Sequence, residues 1–206
     1  MPKILGNYED LEFSQNEKDF VMNAISSYKK QLNSSDEPIK DKTMAMLITL
    51  DEINDGRISK AKNKPSCKKG CGHCCHIQVG ASAWEAETIL EFMKHKGMEF
   101  KKQDIEKLKA QATISNDSEY ILSPHRRCVF LGQDNLCQIY EARPGACRNY
   151  YVYNDPEDCN TYNDKASGRT LVDFDLNTMP VILTLMELGG NDSLPRQLLK
   201  ALDKQK

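Results

Sequence analysis

Four cysteines lie close together in the segment Cys67-Lys-Lys-Gly-Cys71-Gly-His-Cys74-Cys75. Thiolates at such short spacing converge on one ion when a tight turn aims the sulfur atoms inward, and Gly70 and Gly72 permit such a turn. Adjacent side chains in an extended segment point to opposite sides, so Cys74 and Cys75 are not expected to occupy two corners of one tetrahedron. One of the two is therefore expected to serve a second ion or to bridge two ions.

Four further cysteines follow at wider spacing: Cys128, Cys137, Cys147 and Cys159. Eight thiolates would fill two closed four-cysteine sites, a two-metal cluster, or one metal site with a separate redox pair, and spacing alone does not choose among these. Basic side chains near the cysteines in sequence would offset the negative charge of a thiolate site. These residues are Lys64, Lys68, Lys69, Arg126, Arg127, Arg143 and Arg148.

Composition narrows the class of protein. The chain has 206 residues, of which 39% are hydrophobic and 28% charged, so it can bury a core without needing metal merely to reach a foldable size. Its net charge of -2 provides no overall field for nucleic acid or an anionic membrane. No secretory signal is visible in the first residues, and the longest apolar stretch is too short to cross a bilayer. We therefore expect a cytoplasmic protein with no nucleic-acid or membrane partner, whose cysteines are metal ligands or redox groups and not disulfides.

Helical patterns precede and follow the first cysteine group. Capping-box spacing predicts two helix starts, at Ser14 with Glu17 and at Ser82 with Glu85. A helix between them is expected to begin near residue 35 or 36 and to bury Leu47 and Ile48. Residues 51–58 are similar to a calcium loop but lack its oxygen ligands, so this segment is predicted to be a helix end or a turn.

The second half of the chain combines one short β-hairpin with further helices. Residues 128–140 read as two short strands around a turn, which would bring Cys128 and Cys137 together. Helices are predicted at 101–113, at 178–188 and after Ser193. The expected fold is mainly α with a short β-hairpin: a helical extension over residues 1–63, an irregular cysteine-rich metal-binding domain over 64–165, and C-terminal helices over 166–206 that pack on the same core.

The combined cysteine pattern resembles a known family. Cys67-x3-Cys71-x2-Cys74-Cys75, the later segment from Cys128 through Cys147-Arg148, and then Cys159 together resemble the YkgJ-like cysteine-cluster family, although the spacing after Cys67 is x3 where the family has x2. The resemblance covers about half of the chain and implies a zinc- or iron-chelating domain. It makes all eight cysteines metal-ligand candidates, and it gives structural or supporting roles to Tyr140, Arg143, Pro144 and Arg148.

These observations favour a metal-binding protein with a structural or metal-handling role. Zinc is the first expectation, because thiolates suit it and no open coordination position for catalysis is indicated. The competing hypothesis is an iron-sulfur or redox enzyme that uses the same cysteines, related to protein methylation through the flagellin lysine methylases, which share the cysteine pattern. No catalytic or organic cofactor-binding residue is predicted, the sequence does not decide whether the protein is an enzyme, and a protein partner is expected to bind the N-terminal helices.

Overall fold

We analysed a computed structural model of the chain, which describes residues 3–5, 12–160 and 172–205. Only the backbone is described for residues 3–5, 118 and 172–174. Parts of all three predicted units therefore lie outside the described residues. These parts are 1–2 and 6–11 in the helical extension, 161–171 where the predicted cysteine-rich domain meets the C-terminal unit, and 206 in the C-terminal unit.

The described chain is mainly α-helical, as the sequence predicted. Its α-helices are α1 (Gln15–Ser34), α2 (Ile39–Lys60), α3 (Ala83–His95), α4 (Lys102–Ala112), α5 (Asp117–Leu122), α6 (Gly145–Arg148), α7 (Met179–Gly189) and α8 (Leu194–Asp203). Three short 3-10 turns occupy His73–His76, Tyr140–Ala142 and Pro156–Cys159. The strands form two antiparallel pairs, β1 (Lys3–Leu5) with β3 (Val172–Phe174) and β2 (Gly80–Ala81) with β4 (Asp192–Ser193).

Two helices begin at the capping boxes that the sequence predicted. At α1 the backbone N–H of Glu17 donates to Ser14 Oγ at 3.3 Å, and the Glu17 carboxylate accepts from the Ser14 N–H at 2.8 Å. At α3 the same exchange joins Ser82 and Glu85, with distances of 3.2 and 2.6 Å. Each box satisfies backbone donors that a helix start leaves unpaired, which explains why both helices begin where they do.

Helix α2 contradicts two predictions. It begins at Ile39 and continues without interruption to Lys60, so the predicted helix end or turn at 51–58 is wrong. Asn54 is fully buried in this segment, and its side-chain amide donates to the backbone carbonyl of Arg148 at 3.3 Å. This tertiary contact outweighs the low helix propensity of Asn54 and Gly56. Leu47 is buried as expected, but Ile48 is 50% exposed.

Two groups of helices form the core of the described chain. Helices α3, α4 and α8 pack around Ile89, Leu108 and Leu198, whereas α1, α2 and α7 pack around residues that include Leu47 and Leu185. Contacts between α2 and α3 join the two groups. Within the described residues, no helix combines the length and the apolar character that crossing a membrane requires.

The predicted hairpin is confirmed as a turn closed by a single antiparallel bridge. Leu131 pairs with Cys137, and the N–H of Gln138 donates to the carbonyl of Phe130 at 2.9 Å. Asn135 adopts a φ of 58°, a left-handed conformation that asparagine tolerates in turns. Phe130 is buried in the core of α3, α4 and α8, and both Cys128 and Cys137 pack against that core. The hairpin thereby fixes these two cysteines to a rigid part of the molecule.

Candidate metal centre

The first cysteine group forms a series of tight turns. The N–H of Cys71 donates to Lys68 at 3.0 Å, and Gly70 between them has a φ of 84°, which side chains other than glycine rarely adopt. The N–H of Cys75 then donates to Gly72 at 3.0 Å. Because these turns reverse the backbone repeatedly, Cys67, Cys71 and Cys74 are kept in one neighbourhood.

These turns pack directly on the hairpin. A Cβ atom added to Gly72 would lie 3.1 Å from Leu131 Cδ1, so only glycine fits this contact without displacement of its neighbour. The N–H of Cys128 donates to the carbonyl of Cys75 at 2.8 Å. This main-chain bond joins cysteines that are far apart in sequence.

Cys147 lies on the short helix α6, which is held by buried polar groups at both ends. At its start the N–H of Gly145 donates to Glu85 Oε1 at 2.7 Å. At its end the guanidinium of Arg148, 3% exposed, pairs with Asp51 and donates to the carbonyls of Glu141 and Arg143. Every one of these partners comes from outside α6, so its position is set by tertiary contacts.

Cys159 is brought back towards the first group by two contacts. The N–H of Ser66 donates to the carbonyl of Val152 at 2.8 Å, and the Ser66 hydroxyl donates to Val152 and Asn154. The 3-10 turn His73–His76 contacts the turn Pro156–Cys159, where His73 Nε2 lies 3.4 Å from Glu157 Oε1. The beginning and the end of the cysteine-bearing segment therefore meet.

The environment of the thiols differs from one cysteine to the next. All eight cysteines are free thiols, and all except the exposed Cys67 are partly buried. Burial raises the pKa of Cys128 to about 11 and that of Cys159 to about 12, and it raises the pKa of Cys147 well above its usual value. Buried thiols with raised pKa values stay protonated at neutral pH, so a metal ion would have to displace their protons.

Cys74 is the exception, because a hydrogen bond from the Cys75 thiol lowers its pKa to about 7. The nearby positive charge of Arg143 lowers it further, and the same hydrogen bond raises the pKa of Cys75. Arg143 lies over the ring of Tyr140, 3.9 Å from the ring centroid, and 3.8 Å from the Asp51 carboxylate. These contacts with Tyr140 and Asp51 position the guanidinium whose charge acts on Cys74.

The thiols influence one another across the whole cysteine segment. The negative charges of Cys67, Cys71 and Cys74 add to the rise in the pKa of Cys159, after burial. Those of Cys128, Cys74 and Cys137 act in the same way on Cys147. All eight predicted cysteines therefore lie in one electrostatic neighbourhood, although in the described part of the chain no three His, Cys, Asp or Glu side chains stand close enough to hold an ion as they are.

A family comparison agrees with this chemistry. The model of the CxxCxxCC family, whose printed description is "putative zinc- or iron-chelating domain", matches residues 66–169, half of the chain. The chain belongs to the CxxCxxCC family. Neither a curated protein nor a solved structure shows significant similarity to it. The matched CxxCxxCC domain contains all eight cysteines, and its description supports metal chelation without distinguishing zinc from iron.

The donor set of this CxxCxxCC domain fits a thiophilic cation. Seven of the eight free thiols are partly buried, and the guanidinium of Arg143 can offset thiolate charge at Cys74. Metal ligands have to be deprotonated, and most of these thiols are buried with raised pKa values. Metal binding and the final ordering of these loops are therefore expected to be coupled.

Sequence reasoning missed the residues that hold the cysteine segments of the CxxCxxCC domain in place. Ser66, Asp51 and Glu157 gave no local signal, because their partners are far away in sequence. Glu85 was recognised only as a capping residue, although its second carboxylate oxygen also accepts from Gly145.

Proposed function

We propose that this protein binds zinc through cysteine thiolates and that the metal holds the cysteine-bearing segment in its folded form. The observation that carries the proposal is the presence of eight free thiols in a domain of a chelating family, on segments that backbone contacts such as that of Cys128 with Cys75 hold together. The ligand candidates are Cys67, Cys71, Cys74, Cys75, Cys128, Cys137, Cys147 and Cys159. This supports a structural or metal-handling role, because most of the cysteines lie on turns and irregular segments outside α3–α6.

Zinc is favoured by the chemistry of the donors. Thiolate ligands suit zinc, and a tetrahedral shell of four cysteines is the usual form of a structural zinc site. Bound zinc would supply a fixed tetrahedral centre, while Arg143 would offset part of the thiolate charge beside Cys74 and Cys137. Iron uses the same ligands, so the identity of the metal has to be measured.

An iron-sulfur or redox enzyme is the second candidate, and one observation favours it. A hydrogen bond from the Cys75 thiol lowers the pKa of Cys74 to about 7, and a cysteine of lowered pKa beside a second thiol is the arrangement of redox-active cysteines. A relation to protein methylation would belong to this candidate. The partly buried position of both thiols limits access to them and makes the metal-binding proposal the stronger one.

Elemental analysis of protein purified without oxygen tests the proposal. We expect stoichiometric zinc and a colourless preparation, and we expect a chelator to lower the melting temperature sharply because metal binding is coupled to folding. A matched control is the variant Ser26→Ala, which changes a hydroxyl on exposed helix α1 and should leave metal content unchanged. A brown preparation containing iron and sulfide would favour the second candidate, and chelated protein that melts unchanged would refute the structural role of the metal.

A further inference from the structure

We propose that helix α2 is part of the metal centre and that Asp51 is a positioning residue for the ligand candidate Cys147. Helix α2 ends at Lys60, so it lies before the matched CxxCxxCC residues 66–169. This inference rests on the proposed function and deepens it, because it makes a residue outside the family domain control how tightly the metal is bound. Asp51 acts through helix α6 and does not bind the ion itself.

Asp51 and Asn54 hold both the side chain and the main chain of Arg148. The two residues are three positions apart in α2, so they lie on one face of the helix. The Asp51 carboxylate pairs with the guanidinium of Arg148, and the Asn54 side-chain amide donates to the Arg148 carbonyl at 3.3 Å. Because Arg148 directly follows Cys147, these contacts limit where the Cys147 sulfur atom can lie.

The contacts of Arg148 are shielded from water. Arg148 is 3% exposed, and each of its three side-chain nitrogen atoms has a partner. Nε donates to the carbonyl of Arg143 at 2.8 Å, one terminal nitrogen donates to the carbonyl of Glu141, and the other pairs with Asp51. Removal of the Asp51 carboxylate would leave this buried positive charge without the anion that compensates it, which strongly disfavours the present position of Arg148.

Further contacts along α2 fix the direction of the Asn54 amide and the position of α6. Arg57, one turn later, donates to the Asn54 side-chain oxygen at 2.8 Å, so the amide nitrogen of Asn54 is the atom that faces Arg148. At the start of α6, a Cβ atom added to Gly145 would lie 3.4 Å from Leu50 Cδ2. Helix α2 therefore contacts both ends of the short helix that carries Cys147.

Metal binding by Cys147 and the docking of α6 on α2 should therefore stabilise each other. A ligand that is held in place before the ion arrives needs less ordering when the ion binds. Contacts that orient metal ligands typically change metal affinity by about 10- to 100-fold. The coupling is reciprocal, so a bound ion should also stabilise the contacts that α2 makes with α6.

Titration of the full-length protein with Co²⁺, followed by absorption, tests the role of Asp51. The sulfur-to-cobalt charge-transfer absorption grows with the number of thiolate ligands, so Cys147→Ser shows the effect of losing one ligand. We expect Asp51→Asn to bind Co²⁺ about tenfold more weakly and to reproduce the reduced absorption of Cys147→Ser. Asp51→Glu keeps the charge at a partly exposed position with room for a longer side chain, and it should retain the wild-type absorption.

The matched control is Asp55→Asn, which removes the same charge from an exposed position one turn further along α2 and should change neither affinity nor absorption. Wild-type behaviour of Asp51→Asn, or an equal loss in Asp55→Asn, would overturn the role of Asp51 while leaving metal binding intact. Wild-type absorption of Cys147→Ser would overturn it too, because Cys147 would then not be a ligand. Failure of the wild-type protein to bind either Co²⁺ or Zn²⁺ would instead refute the proposed function.

Hydrogen exchange of the wild-type protein decides the matter even if a variant does not fold. Zn²⁺ should slow the exchange of the backbone amides of residues 51–57 in α2 more than that of the amides in α1, which packs on α7. Neither segment contains a ligand candidate, so a difference between them reports the contacts of α2 with α6. Equal effects on the two helices, or no effect on residues 51–57, would overturn the inference.

Discussion

The carboxylate of Glu85 serves two helix starts at once. One oxygen accepts from the backbone and the hydroxyl of Ser82 at the start of α3, and the other accepts from Gly145 at the start of α6. Glu85 is 4% exposed, so neither bond can be replaced easily by water. A single side chain thus links a regular helix to the short helix that carries Cys147.

Replacing Glu85 should therefore lower the free energy of unfolding more than replacing an ordinary capping glutamate. We expect Glu85→Ala to lower the free energy of unfolding by about 3 kcal/mol, since it removes a cap and leaves the Gly145 N–H buried without a partner. The matched control is Glu17→Ala, which removes the same capping interaction from an exposed helix start and should cost about 1 kcal/mol or less. Urea denaturation of both variants measures the difference, and equal losses would contradict the double role of Glu85.

Residue-scale features were predictable only where the partner is near in sequence. Both capping boxes followed from spacing, because a serine and a glutamate three positions apart satisfy each other locally. The buried contact between Asn54 and Arg148 joins residues that are distant in sequence, and for that reason α2 was wrongly expected to stop or turn. Helix propensity depends on local sequence, so it cannot reveal a partner that comes close only in the folded chain.

At the scale of elements, two glycines should respond in opposite ways to substitution by alanine. Gly56 lies inside α2 with open space around its Cα, so Gly56→Ala should raise the free energy of unfolding by about 1 kcal/mol through better helix propensity. Gly70 also has open space, but its φ of 84° strains any other residue. Gly70→Ala should therefore lower the free energy of unfolding by about 1 kcal/mol. Thermal denaturation of the two variants distinguishes the effects, and the same sign for both would show that backbone conformation is not decisive here.

The ionic contacts between Asp192 in β4 and helix α8 should weaken in acid. Asp192 accepts hydrogen bonds from Lys200 at 2.8 Å and from Arg196 at 3.3 Å, and chiefly the bond from Lys200 lowers its pKa below the usual 3.8. Because the pKa of Asp192 is lower in the folded protein than in the unfolded chain, its carboxylate stabilises the fold at pH values above the usual pKa. This contribution is lost as the pH falls through the lowered pKa of the folded state.

We therefore expect Asp192→Asn to lower the free energy of unfolding by about 0.5 kcal/mol at neutral pH, because the carboxylate is partly exposed and screened. The difference from wild type should vanish once acid has protonated Asp192 in both states. Urea denaturation at several pH values measures it, with Glu106→Gln, in the exposed pair with Lys102, as a control without effect. A difference that stays constant into acid would show that the charge of Asp192 is not responsible.

The elements around the cysteines were predicted less completely than the helices. The hairpin was expected because its strand and turn residues alternate locally, and it is present as one bridge between Leu131 and Cys137. The neighbours of each sulfur atom could not be inferred, because they depend on the Ser66 contacts and on the bond between Cys128 and Cys75. Spacing suggested that the side chains of Cys74 and Cys75 would diverge, but this assumed an extended segment, and the 3-10 turn His73–His76 instead brings the two thiols into a hydrogen bond.

For the molecule as a whole, metal binding should release protons. Burial keeps thiols such as Cys128 and Cys159, with pKa values of about 11 and 12, protonated at neutral pH in the metal-free protein, whereas a metal ligand must be a thiolate. The apparent affinity for zinc should therefore increase with pH. Calorimetric titration in two buffers with different ionisation enthalpies measures the protons released. Identical heats in both buffers would show that the cysteines were already deprotonated.

The contacts of Ser66 with Val152 and Asn154 have a consequence for the history of such chains. They bring the two ends of a long segment, residues 66–154, close together. The distance between these ends therefore depends little on what the segment contains. Segments with neighbouring ends tolerate insertion into a host more readily than segments with distant ends. The helices α3 and α4 inside this segment share a core with α8, however, so a transfer of the segment to another scaffold would have to carry α8 with it.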